Sequence, residues 1–380
     1  MSSLERLFAA REIVICCGAG GVGKTTIAAA AATMASLSLG GSVLVLTVDP
    51  ARRLADALGL EALGNVETRV PAAALKAAGL EPRGQLWAAM LDTKQSWDDL
   101  VRRHAPDRRT ARRILENPLY QNVAGRFVQS HDYIAMERLY EIHQSGRYDL
   151  IVVDTPPTRN AIDFLAAPDR MADFFSSRLL RWITGPGRSR VVNVASRPFY
   201  QAADRLLGSQ FLKDVAEFFL LFQHMYPGFV ERASAVKRLL HDRRTTFLVV
   251  TTLETAPVRE AEFFLRALAE QRFHVGALVL NKVLPPLFAD RDAVRVAEHL
   301  VFSAPAVAHA LDGDYPAEAV SRVLREVGAS FLNFEVVAKR EAELRAELAS
   351  AAEVVVGVPS FDTDIFDVAG LVRLGREVWT

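Results

Sequence analysis

The sequence predicts a doubly wound α/β fold, in which helices cover both faces of a mostly parallel sheet. Two observations predict it: short uninterrupted apolar runs bounded by turn residues, and helical patterns between them. Strands that are buried on both faces have such uninterrupted runs, and helical connections between them make the pairing parallel, with right-handed crossovers. The runs are Ile13–Cys17, Val43–Val48, Leu86–Leu91, Leu150–Val153, Phe247–Val250, Val275–Leu280 and Val354–Val358.

The whole chain, residues 1–380, is predicted to form one domain with helical additions. Two gaps between strands, 92–147 and 160–244, are too long for ordinary crossovers and have helical periodicity, so both are predicted as helical insertions. Residues 286–352 are predicted as a further helical segment, in which the charge-alternating run Lys339–Glu347 forms a solvated helix face. The remaining core takes about 1–91, 148–159, 245–285 and 353–380.

The charge balance and the cysteine content argue against a protein drawn to nucleic acid or membranes by its bulk charge, and against a disulfide-stabilised protein. Lys plus Arg and Asp plus Glu each number 45, so no bulk field attracts nucleic acid or an anionic membrane. The only cysteines, Cys16 and Cys17, are adjacent in a predicted strand, where their side chains point to opposite faces and cannot form a disulfide. A reducing compartment fits this usage.

No segment of the sequence predicts export or stable membrane insertion. Met1–Glu12 contains no apolar run of signal-peptide length. Thr25–Val48 contains no charged residue and resembles a membrane span, but Gly40 and Gly41 divide it into an Ala-rich helix and a β-branched strand. We therefore expect a cytoplasmic protein whose membrane association is transient at most.

The glycine-rich run after the first strand predicts a phosphate-binding loop. Gly18–Gly23 fits both G-x-x-x-x-G-K-T, the P-loop, and G-x-G-x-x-G, the dinucleotide motif. A triphosphate needs the ammonium of Lys24 and, for Mg²⁺, the hydroxyl of Thr25, whereas a dinucleotide has no use for them. The P-loop is therefore favoured, with ATP and Mg²⁺ as ligands. Its predicted nucleotide-binding residues are Gly20, Gly21, Val22, Gly23, Lys24, Thr25 and Thr26.

Two carboxylates that follow predicted strands complete the site. Asp154 ends the apolar strand Leu150–Val153, as the Mg²⁺-binding Asp of a Walker-B strand does. Asp49 follows the strand after the P-loop helix, where it can orient the attacking water and contact the metal; its alternative role is a turn residue before Pro50. Catalysis is thus assigned to Asp49 and Lys24, and the metal to Thr25, Asp49 and Asp154.

Three segments of the sequence form a set, namely Gly18–Thr26, Val48–Gly59 and Asp154–Thr158. Together they resemble the ArsA and guided-entry family of the deviant-Walker-A, or SIMIBI, class of P-loop NTPases. Within that family the chain is most similar to the paired actinobacterial anion-transporter ATPases. The resemblance implies a nucleotide-sandwich dimer, either a homodimer or a heterodimer with a paralogous ATPase. It also implies that Asn281 reads the adenine and that the loop of Pro359 flanks the base.

The chain departs from the family pattern in three places. Ala19 occupies the position of the lysine that reaches the partner's nucleotide, so either a partner supplies a cation or hydrolysis is slow; Arg52, Arg53 and Arg159 are candidate substitutes. Arg159–Ala161 replaces the Gly-His-Thr of many relatives in switch II. The C-x-x-C zinc clamp of the targeting factor is absent, which excludes zinc-mediated dimerisation through it.

The second insertion is rich in phenylalanine and contains a candidate client site. An apolar stripe at helical spacing can pack into the insertion's own core, or can line a cleft that receives an apolar or amphipathic helix. The stripe comprises Phe211, Val215, Phe218, Phe219 and Phe222, widened by Leu220 and Leu221, and the cleft would add Met171, Phe174, Phe175 and Leu179.

Three functions remain open at this point. The first is an ATP-dependent targeting factor or chaperone for hydrophobic helices of membrane proteins, which the stripe favours. The second is the soluble catalytic subunit of an anion or metalloid efflux pump. The position of both cysteines inside a predicted strand argues against arsenite activation through thiols. The third is a positioning ATPase of the ParA type, which the balanced charge and the long insertions disfavour. The balanced charge also disfavours a nucleic-acid partner.

Overall fold

The computed structural model describes residues 3–48, 53–77, 79–123, 128–156, 165–173, 209–311 and 316–379. These ranges include the phosphate loop, the whole sheet and most helices of the insertions. Asp49, Arg52 and Arg159 lie outside them, as do Phe174, Phe175 and Leu179 of the expected client cleft.

One eight-stranded sheet forms the centre of the molecule, in the order β3-β4-β2-β5-β1-β6-β7-β8. All neighbours are parallel except β3 and β4, so the predicted doubly wound α/β fold is confirmed. Each predicted apolar run is a strand. The strands are β1 Ile13–Gly18, β2 Gly41–Thr47, β3 Thr68–Arg69, β4 Gly84–Met90, β5 Leu150–Asp154, β6 Thr245–Thr251, β7 Val275–Val283 and β8 Val354–Pro359.

Helices fill the connections between these strands. In the first half they are α1 Ser3–Ala9, α2 Lys24–Ser38, α3 Arg53–Ala57, α4 Ala72–Ala77, α5 Thr93–His104, α6 Arg108–Glu116, α7 Pro118–Val123 and α8 Val128–Gln144. Residues 165–173 are also helical. In the second half they are α9 Ser209–Phe222, α10 Tyr226–Leu240, α11 Thr255–Glu270, α12 Arg291–Ala310, α13 Ala317–Leu348 and α14 Val368–Val378, with short 3₁₀ turns at Gln223–Met225 and Pro286–Ala289.

The sheet separates two apolar cores. Cys17 belongs to the core on the face where the helical insertions pack, and Cys16 belongs to the core on the opposite face, beneath α2. Both cysteines are buried and free, as their adjacent positions in β1 predict. Ala28–Ala32 of α2 are fully buried, because small side chains let this helix lie close against the sheet.

The strand order brings the carboxyl ends of β2, β5 and β1 together. From β1 the chain crosses over β5 to β2, and from β5 it passes to β6 on the other side of β1. In open α/β sheets, ligands bind in the crevice outside the carboxyl ends of strands at such a reversal of winding. The uncharged stretch Thr25–Val48 forms α2 and β2, and none of the helices in the described ranges is long and apolar enough to span a bilayer.

Candidate functional site

The phosphate loop links β1 to α2 and contains two glycines in left-handed backbone conformations. Gly21 has φ +81° and Gly23, which caps α2, has φ +93°, so residues with a Cβ would be strained at either position. A Cβ at Gly21 would meet no atom within 4 Å, whereas one at Gly23 would collide with the Asn281 amide. The loop is therefore open on one side, where a phosphate chain fits, and supported by β7 on the other.

Lys24 is buried at the first turn of α2 and is held within the loop. Its Nζ donates a hydrogen bond of 2.8 Å to the carbonyl of Ala19, and its side chain is 7% exposed. This bond spans the glycine turn and places a positive charge at the end of a helix whose free N–H groups already favour an anion.

Asp154 lies at the junction of three elements. Thr25 Oγ1 of α2 donates to its Oδ2 at 2.7 Å, and Thr47 Oγ1 of β2 donates to the same oxygen at 2.9 Å. The carboxylate is fully buried at the end of β5. Because the Thr25 hydroxyl directs its proton to Asp154, its lone pairs remain for a hard cation, and this oxygen donor set suits Mg²⁺.

Sequence reasoning missed Thr47. The register pairs Thr47 with Asp154 across β2 and β5, which brings the hydroxyl and the carboxylate side by side. Only the strand order 2-5-1 creates this contact, and no motif marks the threonine. The signal that could have found it is its place directly before Val48 and Asp49, at the end of the strand after the P-loop helix.

Asp49 lies outside the described residues, but its neighbour indicates where the segment begins. The backbone N–H of Val48 donates to the carbonyl of Asp154 at 3.1 Å. The chain thus leaves β2 next to the Asp154 carboxylate, on the side of the sheet ends where Thr25 lies. The water-orienting role of Asp49 stays a prediction.

The two residues assigned to the base lie on neighbouring strands. Asn281 is buried near the end of β7, and its Nδ2 donates 2.8 Å to the carbonyl of Val22 in the phosphate loop. Pro359 ends β8, opposite Val283 of β7. The amide of Asn281 therefore holds the loop, and its predicted contact with adenine is an additional role that stays a prediction.

A cavity of about 150 Å³ adjoins the first turn of α2. Its lining residues include Thr25 and Thr26 of α2, Arg53 of α3, and Phe366, which precedes α14. Of the three arginines expected to replace the cross-subunit lysine, Arg53 is the one that the structure describes, and it lines the same cavity as the predicted Mg²⁺ ligand Thr25.

A second group of potential metal ligands lies in the first helical insertion. One ligand atom each from His104, Glu137 and Glu141 lies within 4.8 Å of the others. Arg232 pairs with Glu137, and Arg103 pairs with Glu141, so guanidinium groups already neutralise both carboxylates. Burial raises the pKa of Glu137 and lowers the pKa of His104. We therefore interpret this cluster as an ionic link between helices and not as a cation site.

The described part of the Phe-rich stripe is divided between the core and the surface. Phe222 and Leu221 are buried, and Phe222 stacks on Phe229 at 5.8 Å between ring centroids. Phe218 and Phe219 are half-buried, whereas Leu220 is 38% exposed. The side chains of Phe211 and Val215 lie outside the described part. Burial of the first two supports packing into the insertion's own core, and Leu220 leaves an apolar position open.

Comparison with known proteins matches this chain to ATPases, in agreement with the phosphate loop and the Asp154 carboxylate. A family model described as anion-transporting ATPase, ArsA, matches residues 11–298. An arsenical pump-driving ATPase of Chlorobaculum tepidum is 25% identical over 275 residues, which cover 70% of this chain and 60% of that protein. A second one, from Aquifex aeolicus, is 25% identical over 70% of this chain and 79% of that protein. The ATPase GET3 of Malassezia globosa is 23% identical over 72% of this chain and 73% of that protein.

The match thus spans about three fifths of the length of the C. tepidum relative. The matched residues nevertheless contain the phosphate loop, Asp154, both helical insertions and Asn281. Since the family model covers more than half of the chain, this protein belongs to the anion-transporting ATPase (ArsA) family.

Proposed function

We propose that the chain binds and hydrolyses ATP with Mg²⁺ and works as a dimeric switch. The observation that supports this best is the convergence of Thr25 and Thr47 on the Asp154 carboxylate, beside the loop that carries Lys24. A phosphate cradle, a buried carboxylate and a hydroxyl that bridges them are the parts that phosphoryl transfer requires. The family membership and the ATPase names of the relatives support the same reaction.

Each residue has a defined task in this proposal. Lys24 leaves the Ala19 carbonyl and binds β- and γ-phosphate oxygens, while the backbone N–H groups of the loop bind the remaining phosphate oxygens. Thr25 and Asp154 would hold Mg²⁺, which would neutralise phosphate charge. Asp49 orients the water that attacks the γ-phosphorus. Turnover is expected to be slow unless another residue supplies the cation that Ala19 does not provide to the partner's nucleotide.

Two substitutions separate binding from turnover. Lys24→Ala should weaken ATP binding by at least about 100-fold, because several charge-assisted contacts are lost together. Lys76→Ala, at an exposed lysine paired with Glu81, is the control and should bind normally. Asp49→Asn should bind ATP and lose turnover. Calorimetric titration and phosphate release measure the two properties, and normal hydrolysis by Asp49→Asn would refute its water-orienting role.

We further propose that Arg53 supplies the positive charge that Ala19 does not. Arg53 and Thr25 line one cavity of about 150 Å³, which supports a contact between the guanidinium and phosphate oxygens in the same subunit. Arg53→Gln should lower kcat/KM for ATP by about tenfold or more, the effect of one lost charge-assisted hydrogen bond. Arg53→Lys should recover part of it. Arg69→Gln, at an exposed residue of β3, is the control; equal effects of both glutamine variants would contradict the assignment.

For the client, we propose a hydrophobic helix of a membrane protein, bound by the second helical insertion in the ATP-loaded dimer. Relatives of this chain include a GET3 ATPase, and α9 exposes Leu220 beside half-buried phenylalanines. Apolar side chains at helical spacing are the kind of contact that helix-in-groove recognition uses. The dimer itself is a homodimer or a heterodimer with a paralogous ATPase.

Retention of an apolar helical peptide tests the client proposal. The ATP-loaded Asp49→Asn protein should retain such a peptide better than the ADP-loaded protein does. Leu220→Asp should reduce retention without loss of folding, whereas Phe222→Ala should lower the free energy of unfolding because it opens the core around Phe229. Equal retention in both nucleotide states would rule out the switch.

The second candidate is the catalytic subunit of an anion or metalloid efflux pump, which the names of two relatives favour. Activation by arsenite would need accessible thiolates. Cys16 and Cys17 are buried, and burial raises the pKa of both thiols. ATP hydrolysis measured with and without arsenite distinguishes the candidates, since clear stimulation would support the pump subunit.

A further inference from the structure

Two residues other than glycine have a left-handed backbone conformation within the described ranges, Arg272 with φ +60° and Lys282 with φ +59°. Arg272 ends α11 in a Schellman cap, in which the N–H of Phe273 donates to the carbonyl of Leu268 at 2.9 Å. Lys282 lies inside β7, so no helix cap explains its conformation. Strained residues of this kind cluster at functional sites.

Lys282 belongs to a bulge in β7. Between Leu280 and Val283, two residues of β7 lie opposite a single residue of β8, Val358. The two bulge residues are Asn281 and Lys282. A bulge changes the direction of a side chain, and bulges are common beside active sites.

The bulge places both of its residues on the face of the sheet that α2 covers. Leu280, before the bulge, packs in the core on the opposite face, and Val283, after it, packs on that same core. In a regular strand, residues three apart point to opposite faces, so the bulge takes up one extra residue. Val358, opposite the bulge, is buried in the core beneath α2. Lys282 therefore lies on the same face as Asn281.

The ammonium group of Lys282 is available at the edge of the nucleotide site. Its neighbour Asn281 donates to the carbonyl of Val22 in the phosphate loop. The side chain of Lys282 is exposed and has no hydrogen-bond or ion-pair partner among the described residues. Because ligands of open α/β sheets bind outside the carboxyl ends of the strands, this cation lies where a bound nucleotide would pass.

A carboxylate of α13 holds the backbone that follows the bulge. Glu341 Oε2 accepts a 2.9 Å hydrogen bond from the backbone N–H of Leu284. On the other side, the carbonyl of Val283 accepts a 3.0 Å hydrogen bond from the N–H of Ser360. Rotation of Lys282 to an ordinary φ would displace this segment and break these bonds, so they maintain the strained conformation.

We propose that Lys282 binds the nucleoside half of ATP in its own subunit, and that Glu341 positions it through the backbone of Leu284. The ammonium group has three hydrogen-bond donors, which suit acceptor atoms of a ribose or a purine ring. Since ATP must occupy the phosphate loop for this contact, the assignment rests on the proposed function. It also gives the helix α13, which lies beyond the matched residues 11–298, a part in nucleotide binding.

The test compares ATP with inorganic tripolyphosphate, which has the phosphates but no nucleoside. Lys282→Met retains the length of the side chain without its charge. It should weaken ATP binding about tenfold, the effect of one lost charge-assisted hydrogen bond, and tripolyphosphate binding less than about twofold. Calorimetric titration at about 0.15 M salt measures both, because this ionic strength screens distant charges. Lys24→Ala should weaken the binding of both ligands.

Glycine variants separate ligand binding from backbone strain. Lys282→Gly should weaken ATP binding as Lys282→Met does, yet raise the Tm by about 1–3 °C, because glycine adopts a positive φ without steric cost. Arg272→Gly is the matched control, since Arg272 is also exposed and has nearly the same φ. It should raise the Tm and bind ATP normally.

Substitutions of Glu341 test its positioning role. Glu341→Leu should weaken ATP binding about as much as Lys282→Met does. The double variant should be no weaker than either single variant, because both changes remove one contact. Glu341→Gln retains an acceptor oxygen for the N–H of Leu284 and should restore ATP binding.

The possible failures are distinguishable. Unchanged ATP affinity in Lys282→Met, or equal losses for ATP and tripolyphosphate, would overturn the assignment of Lys282 and leave the proposed ATP binding untouched. Additive losses in the double variant would overturn the positioning role of Glu341. A natural chain that binds neither ligand would overturn the proposed function and this assignment together.

Discussion

Asp154 accepts hydrogen bonds from two threonine hydroxyls that come from different elements, Thr25 at the start of α2 and Thr47 at the end of β2. Both reach the same carboxylate oxygen, which fixes the rotamer of Asp154 before any ligand binds. Asn281 supports the phosphate loop in a similar manner, through the carbonyl of Val22. At the residue scale, neutral side chains therefore position the buried Asp154 carboxylate and the phosphate loop.

Removal of the Thr47 hydroxyl should loosen this arrangement. In Thr47→Val the shape is retained but Asp154 loses a donor, and a lost hydrogen bond to a buried charge costs about 1.5–3 kcal/mol. We expect a higher Mg²⁺ requirement for ATP binding, with a smaller effect on nucleotide binding in EDTA. Titration of Mg²⁺ at fixed ATP measures this, and Thr47→Ser should restore the normal requirement. A valine variant with an unchanged Mg²⁺ dependence would contradict the role of Thr47.

At the scale of elements, a buried ionic cluster joins the helices of the two insertions. Glu137 of α8 contacts Arg232 of α10, and its second oxygen accepts a 2.6 Å hydrogen bond from Tyr133. His104, at the end of α5, faces Arg103, Arg232 and the carboxylates of α8. Removal of one partner from such a cluster leaves an uncompensated buried charge, so the cluster fixes how these helices sit against each other.

His104 should make stability depend on pH. Burial lowers its pKa in the folded chain from the ordinary value of 6.5, so between those two values the unfolded chain binds more protons. Stability should therefore fall as the pH is lowered through 6.5 and be complete above it. Urea unfolding at about pH 7.5 and 5.5 measures the difference, which should be smaller in His104→Gln. Equal losses in both proteins would show that other groups dominate.

The close contact between α12 and α13 predicts a sensitive position. In Gly328→Val, the added side chain meets the Ala297 carbonyl and Val301, so α12 and α13 must separate. Overpacking of this kind costs about 1–3 kcal/mol. Gly64→Val, at a glycine where an added Cβ meets no atom within 4 Å, is a milder comparison. Thermal unfolding followed by circular dichroism should show the larger loss at Gly328.

At the scale of the whole molecule, the strands and their mostly parallel pairing were predictable, but the order of the strands and the contacts across the sheet were not. Apolar runs identified the parallel strands, but β3 has two exposed residues and no apolar signal. Thr47 escaped notice because its role depends on which strand lies beside β5. Periodicity found the stripe of α9, yet only the position of Phe229 decides that Phe222 is buried. Residue patterns thus predict the elements, while their neighbours in space are decided by packing.

Ligand binding should stabilise the whole fold, because the loop, β5 and β7 all contribute to one site. A ligand that binds only the folded chain adds about 2.7 kcal/mol at a free concentration 100 times its Kd. MgATP should therefore raise the Tm of the wild-type chain, and Lys24→Ala should remove the increase. Thermal shift with Mg²⁺ alone is the control. An equal shift in Lys24→Ala would mean that the nucleotide binds elsewhere.

The two buried cysteines have a practical consequence for such experiments. Thiolates are the form that reacts with maleimides and disulfides, and burial in β1 raises the pKa of both thiols. The natural chain therefore already serves as a silent background for site-directed labelling. A cysteine introduced at one surface position will be the reactive one, so fluorescent or spin probes can report distances between subunits without prior removal of Cys16 and Cys17.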